Sequence, residues 1–232
     1  MAMNEATQAP KENVLLSLGV NILVPVIVLT RLSGDDRLGP VLGLLVALAF
    51  PVAYALYDFV RRRNVNFVSV IGFIGILLTG GIGLLKLDVQ WIAVKEATVP
   101  LIIGLAVLGS RYTSVPIVPK LIRRILDVEK IDPILHENGQ VGAFQRRLNR
   151  TTYMIGGSFA LSATLNYILA RIIVVSPTGT TEFNEELGTM TALSFPVIAV
   201  PSMVVFVVAI MYLLSGIKAQ TGLDYQDIMR SG

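Results

Sequence analysis

The chain has 232 residues, of which 53% are hydrophobic and only 15% are charged, and its mean hydropathy is +0.69. An ordinary soluble domain carries about 25% charged residues, so this composition excludes a soluble globule, and its high apolar content excludes a disordered chain. The 20 glycines are too few for a collagen-like repeat, and the lack of cysteine excludes a disulfide-stapled scaffold. We therefore expect an all-α polytopic membrane protein.

Six apolar segments, bounded by charged residues, predict six transmembrane helices, since about 20 helical residues cross a bilayer. In chain order, a tail of residues 1–13 precedes predicted spans at 14–30, 38–59, 64–85, 92–112, 151–175 and 190–216. An amphipathic helix is expected within residues 116–150, between the fourth and fifth spans. A second tail covers residues 218–232, and the membrane domain is thus residues 14–217.

The distribution of Lys and Arg predicts the direction of the spans. With the N-terminus in the cytoplasm, 14 of the 19 basic residues fall in cytoplasmic segments and 5 in external ones. Both termini are therefore expected on the cytoplasmic side of the membrane. The net charge of +3 then follows from this bias, and no nucleic-acid partner is predicted.

The first and last helical hairpins share a sequence repeat. A shift of 145 residues aligns, without a gap, Asn21 with Asn166, Gly43 with Gly188, and Phe50-Pro51-Val52 with Phe195-Pro196-Val197. This register predicts duplication of the two hairpins as a parallel repeat about an axis along the membrane normal; a three-hairpin body is the alternative. In transporters with such repeats, binding sites lie between the repeated halves.

Asn21 and Asn166 lie in the middle of predicted spans, where lipid offers an amide no hydrogen-bond partner. Two hypotheses follow. The residues contribute a polar spot to a central pathway, or they hold helices together by hydrogen bonds. The second hypothesis is favoured, because such bonds are common in helical bundles.

Lys95, Glu96 and Arg171 form a candidate intramembrane charge cluster near the outer ends of the fourth and fifth spans. Charges at membrane depth cost several kcal/mol unless they are paired, so Glu96 is expected to pair with Arg171 or with Lys95. The functional hypothesis is an ion or anionic-headgroup site open to the outside. The structural one is that the long basic side chains reach the interface.

The loop between the fourth and fifth spans carries an amphipathic pattern. Apolar residues recur at helical spacing over 117–126, with basic residues between them and a second basic cluster before the fifth span. Such a helix lies in the cytoplasmic interface, near anionic lipid, and docking of a protein partner is the rival interpretation. The candidate headgroup contacts are Lys120, Arg123, Arg124, Arg146 and Arg147.

The sequence lacks the parts that most catalytic mechanisms need. It has one histidine, His136, no cysteine and no metal-binding or nucleotide-binding motif. We therefore predict no enzyme activity, no cofactor and no metal site.

Several short motifs give the chain a family resemblance. They are Lys95 at the start of the fourth span, Leu108-Gly109-Ser110 at its end, Arg146-Arg147-Leu148-Asn149 before the fifth span, and Leu165-Asn166-Tyr167 within it. Over residues 14–217 the chain resembles the bacterial intracellular septation protein A family, and more closely its distant relatives of uncharacterised function. It departs from the septation proteins in longer loops at 111–143 and 176–187, and in Lys95-Glu96-Ala97-Thr98, which lacks their proline.

This resemblance implies a non-enzymatic inner-membrane protein of cell-envelope maintenance or septation, acting through membrane lipids or through envelope or division proteins. It carries over no catalytic residue. The alternative is a small-solute or ion transporter or channel, with a pathway between the pseudo-symmetric hairpins. Either function is compatible with a homo-oligomer.

Overall fold

The computed structural model describes residues 19–62 and 67–229, and these ranges are helical, with no strand. The helices, in chain order, are α1 (Gly19–Leu32), α2 (Gly39–Arg62), α3 (Phe67–Leu84), α4 (Gln90–Gly109), α5 (Ile117–Ile125), α6 (Val128–Glu137), α7 (Val141–Ile173), α8 (Thr181–Ser194), α9 (Val200–Thr221) and α10 (Tyr225–Ile228). The predicted all-α class is confirmed.

Three helices within the described residues are long and apolar enough to cross a membrane. They span Gly39–Tyr57, Gln90–Tyr112 and Thr181–Thr221, and Gly19–Leu32 and Phe73–Leu84 form shorter apolar helices. The number of six spans and the hairpin repeat stay predictions. The tail at 1–13 and the first residues of the predicted first span lie outside the described residues.

The last long helix contains a wider π-helical turn at its prolines but continues beyond it. The π-helical segment Phe195–Ala199 joins α8 to α9 and contains Pro196, and Pro201 follows at the start of α9. Proline cannot donate the helical hydrogen bond, and its ring crowds the carbonyl four residues earlier. The wider π turn accommodates both effects, so the helix runs on from Thr181 to Thr221.

The chain forms two compact units. Unit 1 comprises Met1–Glu96 and Ile168–Phe195, and unit 2 comprises Ala97–Tyr167 and Pro196–Gly232. Helices α4 and α7 therefore contribute residues to both.

Small residues bring the helices of unit 1 close together. A Cβ atom on Gly188 of α8 would lie 3.1 Å from Cβ of Leu29 on α1, and one on Gly83 of α3 would lie 3.2 Å from the Phe183 ring. Beside this contact, the fully buried Asn184 donates its Nδ2 proton to the Pro40 carbonyl oxygen at 2.7 Å. Glycine thus allows helix approach distances that a larger residue would prevent.

Unit 2 has a continuous apolar core. Side chains from α5, α6, α7, α9 and α10 meet in it, and its fully buried members include Ile131, Leu135, Leu148, Leu213, Ile217 and Ile228. The short C-terminal helix is tied to this core by its backbone as well. The Asp127 amide donates to the Ile228 carbonyl at 2.9 Å, and Leu126 forms an isolated antiparallel bridge with Met229.

This tie explains how the structure differs from the single amphipathic helix expected within 116–150. Helix α5 ends at Ile125, because Leu126 adopts an extended conformation that pairs with Met229. Asp127 then caps α6 by accepting a hydrogen bond from the Lys130 amide. Helix α7 begins at Val141 rather than at the predicted span start of 151.

The core position of Ile228 yields a test of the C-terminal tie. Ile228→Ala should lower the free energy of unfolding by about 2–5 kcal/mol, because the side chain is 0% exposed and its removal leaves a cavity. Met229→Ala, at a neighbour that is 45% exposed, is the matched control and should cost less than about 1 kcal/mol. Denaturant titration of the full chain in mild detergent gives both values, and equal losses would contradict the packing described.

Candidate functional site

A hydrogen-bonded junction in unit 2 connects the end of α4 to the start of α5. Ser110 lies in a short 3₁₀ turn after α4 and is buried. Its hydroxyl donates to the Val107 carbonyl at 2.7 Å and accepts from the Ile117 amide at 3.0 Å. One side chain thus satisfies an unpaired carbonyl at one helix end and an unpaired amide at the next, which fixes the intervening turn.

Arg111 follows directly in this turn, and its guanidinium lies against the Tyr153 ring of α7, with Cζ 4.1 Å from the ring centroid. A ring face stabilises a cation but satisfies N–H donors poorly. Two of the Arg111 donors, Nε and Nη1, are buried and have no acceptor among the described residues. A buried donor without a partner costs roughly 1–3 kcal/mol, and more when it is charged.

A cavity of about 410 Å³ lies beside this arginine. Its walls come from the turn after α4, from α5 and the residue before it, and from α7, and they comprise Arg111, Pro116, Pro119, Arg123, Gln145, Leu148 and Asn149. The wall therefore combines two guanidinium groups and two amides with apolar proline and leucine surface. We call this cavity the Arg111 pocket.

The second cation of the pocket is partly neutralised. Arg123 pairs with Asp132 of α6 through Nη1 and Oδ2 at 3.1 Å, and both side chains are exposed to solvent. A guanidinium has five N–H donors, so this ion pair leaves several for a further acceptor. Together with Arg111, it gives the wall a net positive charge, which suits an anionic group with several oxygen acceptors.

The faces of α5 differ sharply in exposure. Val118 and Ile122 are buried in the core of unit 2, whereas Ile117, Leu121 and Ile125 are 43%, 54% and 47% exposed. At about 100° per residue, these three exposed side chains fall within an arc of about 80°. We call them the α5 stripe.

Two basic residues border the α5 stripe. Lys120 and Arg124 are both exposed, and both lie on the arc between the stripe and the pocket-facing Arg123. Helix α5 therefore presents, in turn, a core face, an exposed apolar stripe, a basic edge and a pocket wall.

The two basic residues before the predicted fifth span have different surroundings. Arg146 is exposed on α7. Arg147 packs its guanidinium over the Tyr212 ring, 4.3 Å from the centroid, and donates to the Tyr212 carbonyl at 3.0 Å. A Cβ atom on Gly216 would overlap this guanidinium. Arg147 thus packs between α7 and α9, and its predicted headgroup contact stays a prediction.

The predicted charge cluster of Lys95, Glu96 and Arg171 lies in unit 1, and two of its members form an ion pair with each other. Glu96 pairs with Lys95 at 2.6 Å, one of its two expected partners, while Arg171 is exposed on α7. The Lys95 ammonium also donates to Thr79 Oγ1 of α3 at 2.7 Å, and that hydroxyl donates to the Gly75 carbonyl at 3.0 Å. The chain of bonds joins α3 to α4.

The two asparagines are both half-buried, and they belong to different units. Asn166 donates Nδ2 to the Ser162 carbonyl of its own helix at 2.8 Å. Asn21 lies in the π turn that opens α1. A pathway shared by the two residues stays a prediction.

Sequence reasoning missed Arg111, Gln145 and Asn149 as pocket residues. Arg111 carried one signal, as the first cation after an apolar span. Its contact with Tyr153 depends on the packing of α4 against α7 and leaves no trace in local spacing.

The Lys95 pair gives a double-variant test. Lys95→Met should lower the free energy of unfolding by about 2–3 kcal/mol, because it leaves the Glu96 carboxylate partly buried without its cation. The double variant Lys95→Met/Glu96→Gln should recover at least half of that loss. If the single and the double variant are equally destabilised in denaturant titration, the Glu96 carboxylate does not need Lys95 as its ion-pair partner.

Gly216 and Gly157 give opposite expectations for the same chemical change. Gly216→Ala should lower the free energy of unfolding by about 1–3 kcal/mol, because its methyl group overlaps Arg147. Gly157→Ala on α7 meets no atom within 4 Å and should raise it by about 0.5–1 kcal/mol through helix propensity. A stabilising Gly216→Ala in the same unfolding assay would mean that Arg147 is not held there.

Comparison with known proteins adds no relative to this description. No family model, curated protein or solved structure matches the chain. The resemblance to the septation protein A family stays an expectation from short motifs.

Proposed function

We propose that this chain is a non-enzymatic protein of the bacterial inner membrane that binds an anionic lipid surface through α5 and contributes to cell-envelope maintenance or septation. The envelope theme comes from the motif resemblance. The lipid-binding role comes from the residues of unit 2.

The proposed topology has six spans, with both termini in the cytoplasm. Helices α2, α4 and α8–α9 have the length and composition of spans. The shorter apolar helices α1 and α3 and the apolar part of α7 complete the set. Positive residues in the segment from Arg111 to Arg150 favour a cytoplasmic position for α5 and α6. The hairpin repeat remains part of this proposal on its sequence register alone.

The observation that carries the proposal is the α5 stripe. Three large apolar side chains stay exposed on a helix whose adjacent face is already buried, so the stripe is not needed for the core of unit 2. An exposed apolar arc bordered by Lys120 and Arg124 fits the boundary between acyl chains and anionic headgroups. Each basic residue near such a surface adds about 1 kcal/mol of attraction.

The transporter alternative receives less support from the side-chain contacts. Lys95 binds both Glu96 and Thr79, and Asn166 binds its own helix. These are the contacts of residues that hold a bundle together. Lining a hydrated pathway would require the same polar groups to be open to water.

A fluorescence experiment tests the position of α5. The chain has no cysteine, so Leu121→Cys places a single fluorophore on the α5 stripe, and Glu129→Cys places one on the exposed surface of α6 as control. In vesicles containing phosphatidylglycerol with brominated acyl chains, the fluorophore at 121 should be strongly quenched, because bromine lies at the depth of the stripe. The fluorophore at 129 should be quenched little.

The same two proteins give the opposing outcome. If the probe at 121 escapes quenching, and a water-soluble thiol reagent modifies Cys at both positions at the same rate, the stripe faces water. The interfacial role of α5 would then be wrong.

A further inference from the structure

We propose that the Arg111 pocket binds a phosphate group, carried either by a lipid headgroup or by a free phosphate. The proposal deepens the lipid-binding function proposed above and rests on it only for the source of the phosphate. The pocket itself is defined by contacts within unit 2.

The first argument is the unused hydrogen-bonding capacity of Arg111. Its Nε and Nη1 atoms have no acceptor among the described residues, although a guanidinium is a strong donor of several N–H bonds. Both atoms are buried, so a ligand reaches them by a turn of the guanidinium toward the cavity. The turn exchanges unpaired donors for charge-assisted hydrogen bonds, which favours the bound state.

The second argument is the composition of the rest of the pocket lining. Arg123 of α5 has donors left over from its bond to Asp132, and Gln145 and Asn149 of α7 add amide donors. A phosphate offers three or four oxygens in a tetrahedral arrangement, so donors from separate walls can bind it together. A carboxylate, which is planar with two oxygens, would use fewer of them.

The third argument is the size and the apolar part of the cavity. A volume of about 410 Å³ exceeds what a phosphate needs and leaves room for an organic group attached to it. Pro116, Pro119 and Leu148 supply an apolar wall for that group. The pocket face of α5 is one helix arc away from the α5 stripe, across the basic edge, so a lipid seated beside the stripe could place its headgroup phosphate here.

The test uses the full chain in an uncharged detergent, with a fluorophore on Val115→Cys, an exposed position near the pocket that does not line it. Two probes are titrated separately: short-chain phosphatidylglycerol and inorganic phosphate. We expect at least one probe to bind, with a Kd that rises about tenfold or more in Arg111→Gln and in Arg123→Gln.

Arg150→Gln is the matched control, because it removes the same charge from an exposed position on α7, next to Asn149, without touching the pocket wall. Its Kd should change less than about twofold, the size of a screened surface effect. Arg111→Lys keeps the charge while losing the planar fork, and it should fall between wild type and Arg111→Gln. The thermal midpoint of each variant shows whether it is folded, and Arg111→Lys carries the test if Arg111→Gln is not.

Each outcome decides the proposal. Arginine-dependent binding of phosphatidylglycerol alone identifies a lipid headgroup as the ligand, such binding of inorganic phosphate alone identifies a free phosphate, and binding of both shows the shared chemistry. If neither phosphatidylglycerol nor inorganic phosphate binds, the proposal is overturned. Equal losses in Arg123→Gln and Arg150→Gln also overturn it, since only diffuse charge would then be acting.

The experiments can contradict the phosphate-binding proposal and the lipid-surface proposal independently of each other. Quenching at position 121 that persists in Arg111→Gln, without phosphate binding by the wild type, would remove the pocket and keep the interfacial helix. Phosphate binding without quenching would keep the pocket and assign it a soluble ligand.

Discussion

Burial of Val118 and Ile122 determines how unit 2 presents the rest of α5. Once these two side chains enter the core, the helical period fixes which residues stay outside. The apolar stripe, the basic edge and the pocket wall then follow at successive arcs. The Ser110 hydroxyl holds the start of α5 to the end of α4, and the bridge between Leu126 and Met229 ends α5. A nine-residue helix thus acquires a defined orientation from its neighbours, which its own propensity could not supply.

The basic residues of the chain illustrate how packing divides similar side chains among different roles. Arg147 stacks on Tyr212 because Gly216 leaves room for it, so its donors serve the contact between α7 and α9. Arg111 also lies on a tyrosine ring, yet two of its buried donors, Nε and Nη1, have no acceptor within the part of the chain that the structure describes. The two arginines therefore differ in whether they have buried N–H donors without an acceptor. Of the two, only Arg111 gains hydrogen bonds from an incoming anion.

Composition and hydropathy predicted the helical class, and the apolar segments coincide closely with α2, α3 and α4, because helices in an apolar chain follow local hydrophobic length. The region after α4 was harder to predict. Its break at Leu126 depends on residues near 229, about a hundred positions away along the chain. The basic pattern identified Arg123 and Lys120, but a pattern cannot tell a solvated arginine from one packed on a ring, as Arg147 shows. Glu96 had two expected partners, and in the structure it pairs with Lys95, whose ammonium also binds Thr79 of α3.

The lipid-surface and phosphate proposals meet at one edge of α5 but draw on different physical terms. The stripe contributes through apolar area, which has no preference among headgroups. The pocket contributes through donors from several elements, which suit the tetrahedral oxygens of a phosphate better than a planar carboxylate. A helix with the stripe alone would bind any membrane surface of suitable charge. A pocket at its basic edge would add headgroup selectivity, because the phosphate must then lie where Arg111 and Arg123 can both reach it.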